Sequence, residues 1–267
     1  MSFSIEGKTA IITGAANGVG LAIGRHFLKA GANVVFADMD EAALEREIGS
    51  EVTDNGPARM FSGDLRKKLA VTNLLSLTVD AFERIDILVN AARQVAMTDP
   101  LDPEDDSVSM LMEQNMMMAL RLSQATARRM IKLSEGQSEG TVGTIINLSS
   151  IAARRTHPDL MAYSIATAAS DQMTRSLAVA LAPQRIRVNA VAFGSVMSAS
   201  LKTKLKDHDD YRKDILAHTP LHRIASPVEV CDAVQYLACD ASDFVTGQII
   251  TVDGGRTLID PVGCAVH

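Results

Sequence analysis

TAIITGAANGVGLAIG, residues 9–24, decides the fold. TAIIT (9–13) is a short apolar run rich in β-branched residues, the pattern of a strand. Gly14, Gly18 and Gly20 follow as a turn with little to obstruct the backbone, and Val19, Ile23, Phe27 and Ala30 then fall on one helical face. Gly31 ends that helix as a C-terminal cap glycine does. A strand, a glycine turn and a helix in this order make an anion site. The backbone can approach a pyrophosphate closely, and the pyrophosphate rests on the helix N-terminus. The flanking strand and helix carry this reading, because a glycine triplet alone is a weak signal.

Working outward, the alternation continues to the end of the chain. NVVFAD (33–38), ARMFSGD (58–64), IDILVN (85–90), TVGTIINLSS (141–150), IRVNAVA (186–192) and QIITVD (248–253) read as strands. Helices are predicted over 40–50, 66–83, 107–134 and 159–182. Pro227 opens another through Ala238, in the favoured first-turn position. Segment 195–225 has weak periodicity and many charges, and reads as short helices over a site. Strands that are unbroken Val/Ile runs are buried on both faces, which requires a parallel sheet covered by helices. Right-handed crossovers make it doubly wound, a Rossmann-type α/β architecture. No Pro/Gly/Ser-rich linker, composition break or repeat divides the chain, so a single domain over 1–267 is expected.

The 267 residues are 47% hydrophobic and 22% charged, ordinary values for a globular protein. A net charge of -6 gives no footprint for nucleic acid or an anionic membrane surface. No run of about 18 apolar residues is present to span a bilayer. Cys231, Cys239 and Cys264 are scattered, fit no zinc spacing and read as free thiols in a reducing compartment. The start, MSFSIEGK, has no apolar signal core, and a cytoplasmic protein without a metal is expected.

Asp38 closes the second strand, 18 residues past Gly20. An acid at that distance hydrogen-bonds the adenosine ribose hydroxyls and repels a 2′-phosphate. No Arg or Lys lies in 13–20 to attract such a phosphate, so NAD(H) is favoured over NADP(H). Asp64 and Leu65 end the third strand and Asn90 the fourth, where ligands of open parallel sheets bind. For Asp64, capping the next helix stays open as an alternative.

TGAANGVG at 13–20, Asp38, GDL at 63–65, VNAA at 89–92, Asn115, NLSS at 147–150, Tyr163, RVNAVAFG at 187–194 and VDGG at 252–255 occur in one order over nearly the whole chain. In this the chain resembles the short-chain dehydrogenase/reductase family. The resemblance implies a doubly wound domain of seven parallel strands and hydride transfer between a nicotinamide cofactor and a small alcohol or carbonyl compound. It also implies a homotetramer or homodimer. Tyr163 matches the general acid/base. Ser150, 13 residues earlier, matches the serine that holds the substrate oxygen, with Ser149 as its structural neighbour. Asn115 matches the asparagine that orders a relay water. Expected cofactor contacts are Gly14, Asn17, Gly18, Val19, Gly20, Asp38, Met39, Asp64, Leu65, Asn90, Ala91, Ala92, Tyr163, Thr167, Gly194 and Val196.

Three departures cluster. The family lysine four residues after the tyrosine is Thr167, the glycine ending the fourth-strand motif is Arg93, and the proline before Gly194 is Phe193. Residues i and i+4 share a helix face, so residue 167 belongs beside the Tyr163 ring. A free tyrosine titrates near pH 10, and a cation within about 4–6 Å typically lowers such a value by about 1–3 units. Threonine supplies no charge, although its hydroxyl remains for a ribose or a water. Arg93 is the first candidate for a substitute cation and Arg154 and Arg155 the second. A solvated or salt-bridged role is the alternative for all three. Exchange of Thr167 for lysine is expected to raise activity near neutral pH.

Two readings follow: an NAD(H)-dependent oxidoreductase, or a catalytically impaired dinucleotide-binding protein acting as a sensor or assembly subunit. Met110, Met112, Met116, Met117 and Met118 read as core or interface, and His157 as a solvated loop residue. Segment 202–214 alternates in charge and reads as an exposed helix within a substrate lid at 195–225.

Overall fold

Thr9–Thr13 (β1) is buried at all 5 positions and pairs in parallel with strands on both sides. This central placement is what an unbroken apolar strand requires. The computed structural model describes residues 3–207 and 209–260, and Cys264 lies outside them. β2 (Asn33–Asp38), β3 (Ala58–Ser62), β4 (Ile87–Asn90), β5 (Gly143–Ser150), β6 (Ile186–Phe193) and β7 (Ile249–Val252) complete a 7-stranded parallel sheet of order β3-β2-β1-β4-β5-β6-β7.

Alternation along the strands sends side chains to two separate cores. Ala10 and Ile12 pack with Ile23 and Phe27 of α1 (Gly18–Lys29), Leu44 of α2 (Glu41–Ile48), and Val234 and Leu237 of α9 (Pro227–Ala238). Ile11 points the other way. It joins Leu74 of α3 (Lys68–Phe82), Leu122 of α5 (Met118–Leu133) and Leu177 of α6 (Met161–Leu181). Winding reverses between β1 and β4, so a crevice opens at their carboxyl ends.

Several boundaries differ from expectation. β4 begins at Ile87 rather than 85, because the Asp86 carboxylate accepts the Thr9 N–H at 2.7 Å and an Arg84 fork at 2.8 Å. β3 stops at Ser62, and the Gly63 N–H turns to the Asp38 carbonyl at 2.9 Å. The helix expected over 107–134 is not continuous. α4 (Ser107–Leu111) passes through a wide π-helical turn, Met112–Met117, into α5. All five methionines of this run are half-buried. Met116 and Met118 pack on the α3/α5 core, and Met110 and Met112 pack beside Tyr163. Segment 195–225 holds α7 (Ala199–Asp207) and α8 (Asp209–Ala217). It is pinched at its base by a parallel bridge between Val196 and Ala225.

The start of α9 links charge to stability. The Glu229 carboxylate accepts the Ser226 N–H at 2.8 Å and receives the Arg223 guanidinium, which holds its titration down at about 2. A carboxylate depressed in the folded state contributes stability above its unfolded titration point, and loses it as pH falls through the folded one. Glu229→Gln should therefore flatten the stability loss between about pH 4.5 and 2, as read by acid denaturation.

Candidate active site

The crevice between β1 and β4 is built by backbone contact. Gly14 has φ +63°, and a Cβ placed there would stand 2.7 Å from the Ala92 Cα. The Thr13 hydroxyl accepts the N–H groups of Ala91 at 3.0 Å and Ala92 at 3.1 Å, which ties the end of β4 against the glycine turn. At Gly20 a Cβ would fall 2.2 Å from the Gly14 carbonyl oxygen, so α1 can rise directly out of the turn. Asn17, at the N-cap of α1, makes no side-chain cap bond, and the helix start is left with its partial positive charge toward the crevice.

A groove of about 800 Å³ runs along this seam. Its walls include Gly14, Asn17, Gly18, Val19, Gly20, Asp38, Met39, Asp64, Leu65, Ala91 and Ala92 of the expected cofactor set. Its size is that of a small-molecule or cofactor site. The Asp38 carboxylate sits at the tip of β2. It accepts backbone N–H groups from Ala16 at 3.0 Å, Met39 at 2.7 Å and Asp40 at 3.1 Å. Asp64 is gripped by the Arg66 fork at 2.8 and 2.9 Å, and that contact holds its carboxyl below the usual range. The open alternative for Asp64 resolves toward this pair, since α3 starts after Lys67.

Sequence reasoning missed Arg66, Gln94, Gln114, Met118 and Ser198 in the groove wall. Nothing in their spacing marks them, because four of these five come from loops or the π-helical turn.

Other expected contacts lie elsewhere. The Asn90 amide turns inward, donating to Ser123 at 3.0 Å and to Asn147 at 2.8 Å, and lines no part of the groove. Register explains it: Asn90 faces Asn147 across β4 and β5, and Asn147 reaches Thr174 at 2.9 Å. Gly194 and Val196 also stand outside the groove wall, with Gly194 donating to Val252 at 3.2 Å. Thr167 is buried, and its hydroxyl donates to the Tyr163 carbonyl at 2.6 Å. The hydroxyl proton expected to be free for a ribose is spent on the turn of its own helix.

Tyr163 is 5% exposed, packed beside Leu111, Ala152, Ala162 and Ala166. Its phenol oxygen accepts a hydrogen bond from Arg93 Nη1 at 2.9 Å. The same nitrogen donates to the Ser149 carbonyl at 3.2 Å, and the guanidinium lies 4.3 Å over the Phe193 ring. The departures at 93 and 193 are therefore one contact, and it closes on the tyrosine left without a lysine at 167. Arg154 and Arg155 are engaged elsewhere, with Thr251 Oγ1 at 3.0 Å and the Thr257 carbonyl at 2.5 Å.

Asn115 sits on the π-helical turn and clamps the residue after Arg93. Its Oδ1 accepts the Gln94 N–H and its Nδ2 donates to the Gln94 carbonyl, both at 2.8 Å. Ser149 is structural as expected, donating to the buried Asp171 carboxylate at 2.5 Å, whose titration burial pushes up. Ser150 ends β5, with its Oγ accepting the Ala152 N–H at 3.1 Å. His157 is exposed and caps the turn Pro158–Leu160. A cavity of about 20 Å³ lies behind the phenol between Arg93, Asn115, Tyr163, Thr167 and Ser170, room for one water among polar partners. Ala92, Arg93 and Leu148 wall both this cavity and the large groove.

Among the described residues no His/Cys/Asp/Glu group is placed to hold a metal, and no helix is long and apolar enough to cross a membrane.

A seven-stranded doubly wound sheet with a glycine-turn groove defines the class, a Rossmann-type nucleotide-binding fold. A family model described as enoyl-(acyl carrier protein) reductase matches residues 14–257. 7alpha-hydroxysteroid dehydrogenase of Escherichia coli is 30% identical over 251 residues, covering 94% of each chain. A solved 7 alpha-hydroxysteroid dehydrogenase complexed with NADH and 7-oxo glycochenodeoxycholic acid superposes with TM-score 0.85 at 30% identity, over 95% of this chain and 96% of that one. A gluconate 5-dehydrogenase of Burkholderia cenocepacia, in complex with NADP and tartrate, gives 0.84 at 31% identity over 97% and 98%. The chain belongs to the short-chain dehydrogenase/reductase family, whose members here are NAD(P)-linked oxidoreductases.

Gly14→Ala should strain the turn and push β4 outward. The expected result is at least about tenfold weaker NADH or NADPH binding by fluorescence titration, the equivalent of about 1.4 kcal/mol, with strain of about 1–3 kcal/mol in the fold. Binding equal to the parent would show that the seam tolerates a methyl group.

Proposed function

We propose that the protein is an NAD(H)-dependent oxidoreductase that interconverts a small alcohol and its carbonyl compound. The observation carrying this reading is that Ala92 and Arg93 wall both the dinucleotide-sized groove and the cavity behind the Tyr163 phenol. Ala92, Arg93 and Leu148 would hold a nicotinamide beside the acid/base, and the cofactor would supply or accept the hydride. Tyr163 gives a proton to the carbonyl oxygen in reduction and takes it from the alcohol in oxidation. Ser150 holds that oxygen, and Asn115 fixes the segment carrying Arg93.

Asp38 supports NAD(H). Its carboxylate occupies the tip of β2, where an added 2′-phosphate would meet like charge, and the nearby Arg66 is neutralised by Asp64. Segment 195–225 serves as the substrate lid, hinged at the Val196–Ala225 bridge. Unpaired Cys231 and Cys239 suit work in the cytoplasm.

One observation favours the rival, a dinucleotide-binding protein without turnover: Thr167 has neither charge nor a free hydroxyl proton beside the phenol. The purified protein should be incubated with NAD⁺ and a panel of secondary alcohols, polyols and hydroxy acids from about pH 7 to 10. NADH formation with at least one class is expected. Cofactor binding with no turnover across the panel would select the rival. NADH should bind about tenfold or more tightly than NADPH, and Asp38→Ser should erase the difference. Equal parent affinities would remove the NAD assignment.

A further inference from the structure

We infer that Arg93 is the cation that activates Tyr163, delivered from the end of β4 instead of from α6, and that Phe193 and the Ser149 carbonyl hold it in place. The inference rests on the oxidoreductase reading for its kinetic consequences but not for its direct test.

The phenol oxygen has a guanidinium nitrogen at 2.9 Å. That nitrogen donates, so the phenol keeps its own proton free for a substrate oxygen. Arginine stays charged at any working pH, so it stabilises a phenolate without carrying the proton onward. Among the described residues no carboxylate forms an ion pair with Arg93, so its charge is not cancelled locally.

Other charges on the elements packed against α6 are turned away from the phenol. Glu113 of the π-helical turn pairs with Arg121, and Arg187 of β6 lies with Asp243. Arg154 and Arg155 bond Thr251 and Thr257, and Asp159 faces the exposed His157. Arg185 bonds the Gly140 carbonyl, and Asp106 is exposed before α4. On α6 itself, Asp171 accepts from Ser149 and Arg175 bonds Gln172.

Phe193 is 3% exposed, so the ring cannot swing aside, and the guanidinium rests on its face. It is a positioning residue.

The geometry also reverses the expectation for Thr167. A lysine there would enter the small cavity already walled by Arg93, putting two cations on one phenol. Lysine and Arg93 are alternatives, and the two sites should show sign epistasis.

The direct test is an ultraviolet titration of phenolate in the purified protein, with Tyr163→Phe subtracted to isolate this ring. Arg93→Ala should move phenolate formation to higher pH, and Arg93→Lys should move it less. Phe193→Leu should shift it partway, while Phe193→Trp, which keeps an aromatic face under the guanidinium, should leave it near the parent. In kinetics, Arg93→Ala should lower kcat/KM about 10²-fold and move the pH profile the same way. Thr167→Lys alone should fall below the parent, while Arg93→Gly with Thr167→Lys should exceed Arg93→Gly alone by about tenfold. An unmoved phenolate titration in both Arg93→Ala and Arg93→Lys would overturn the inference, as would faster turnover in Arg93→Ala. The titration decides even where no substrate is turned over, so its outcome is separate from that of the oxidoreductase reading.

Discussion

The seam between the first glycine turn and the end of β4 is the constraint from which the site follows. One hydroxyl, on Thr13, takes two successive N–H groups from Ala91 and Ala92, and Gly14 lets the two backbones meet. Both strands are central and buried, so neither end can drift. The seam makes the floor of the groove, and it also fixes where residue 93 must stand. A side chain one residue beyond a clamped backbone has few choices. The Asn115 clamp on Gln94 removes more of them from the other side.

At that fixed position a cation is worth most. Two unit charges about 4 Å apart interact by about 4 kcal/mol in the effective dielectric of a protein surface, against about 1 kcal/mol in water. Arg93 is half-buried over an aromatic face and, among the described residues, pairs with no carboxylate, so its charge stays available to the phenol. A guanidinium is also less strongly hydrated than an ammonium and stacks on rings, so Phe193 suits arginine better than it would suit lysine. The charge is held by packing and by a carbonyl, and a proton carrier is not part of the arrangement.

The sheet was legible because central parallel strands buried on both faces leave unbroken apolar runs, as in β1, β4 and β6, while the edge strand β3, ARMFS, shows only a partial one. Their ends were less so. Asp86 and Gly63 shorten β4 and β3 through hydrogen bonds to other strands, and such partners are absent from a local pattern. The π-helical turn at Met112–Met117 was illegible for a similar reason. The side chain of Asn115 bonds a segment 21 residues away, and hydrophobic periodicity carries no trace of that bond. The inward turn of the Asn90 amide was not legible, because strand alternation, not proximity to a strand end, decides which way an amide points.

The three departures at 93, 167 and 193 were visible singly, but their meaning was not. A helix-face argument looks four residues along α6 for a cation and finds a threonine. Electrostatic energy depends on distance and dielectric and is indifferent to the element that brings the charge. The Arg93 guanidinium stands 70 residues from Tyr163 in sequence and 2.9 Å away in space. Its support at 193 comes from yet another strand, adjacent to Ser150 across the β5–β6 register. Arg93 and the Phe193 ring meet at the Tyr163 phenol from separate places in the fold, with Thr167 one helical turn along α6. None of the three is intelligible from its own neighbours in the chain, because only the folded seam at β1 and β4 brings the arginine to the phenol.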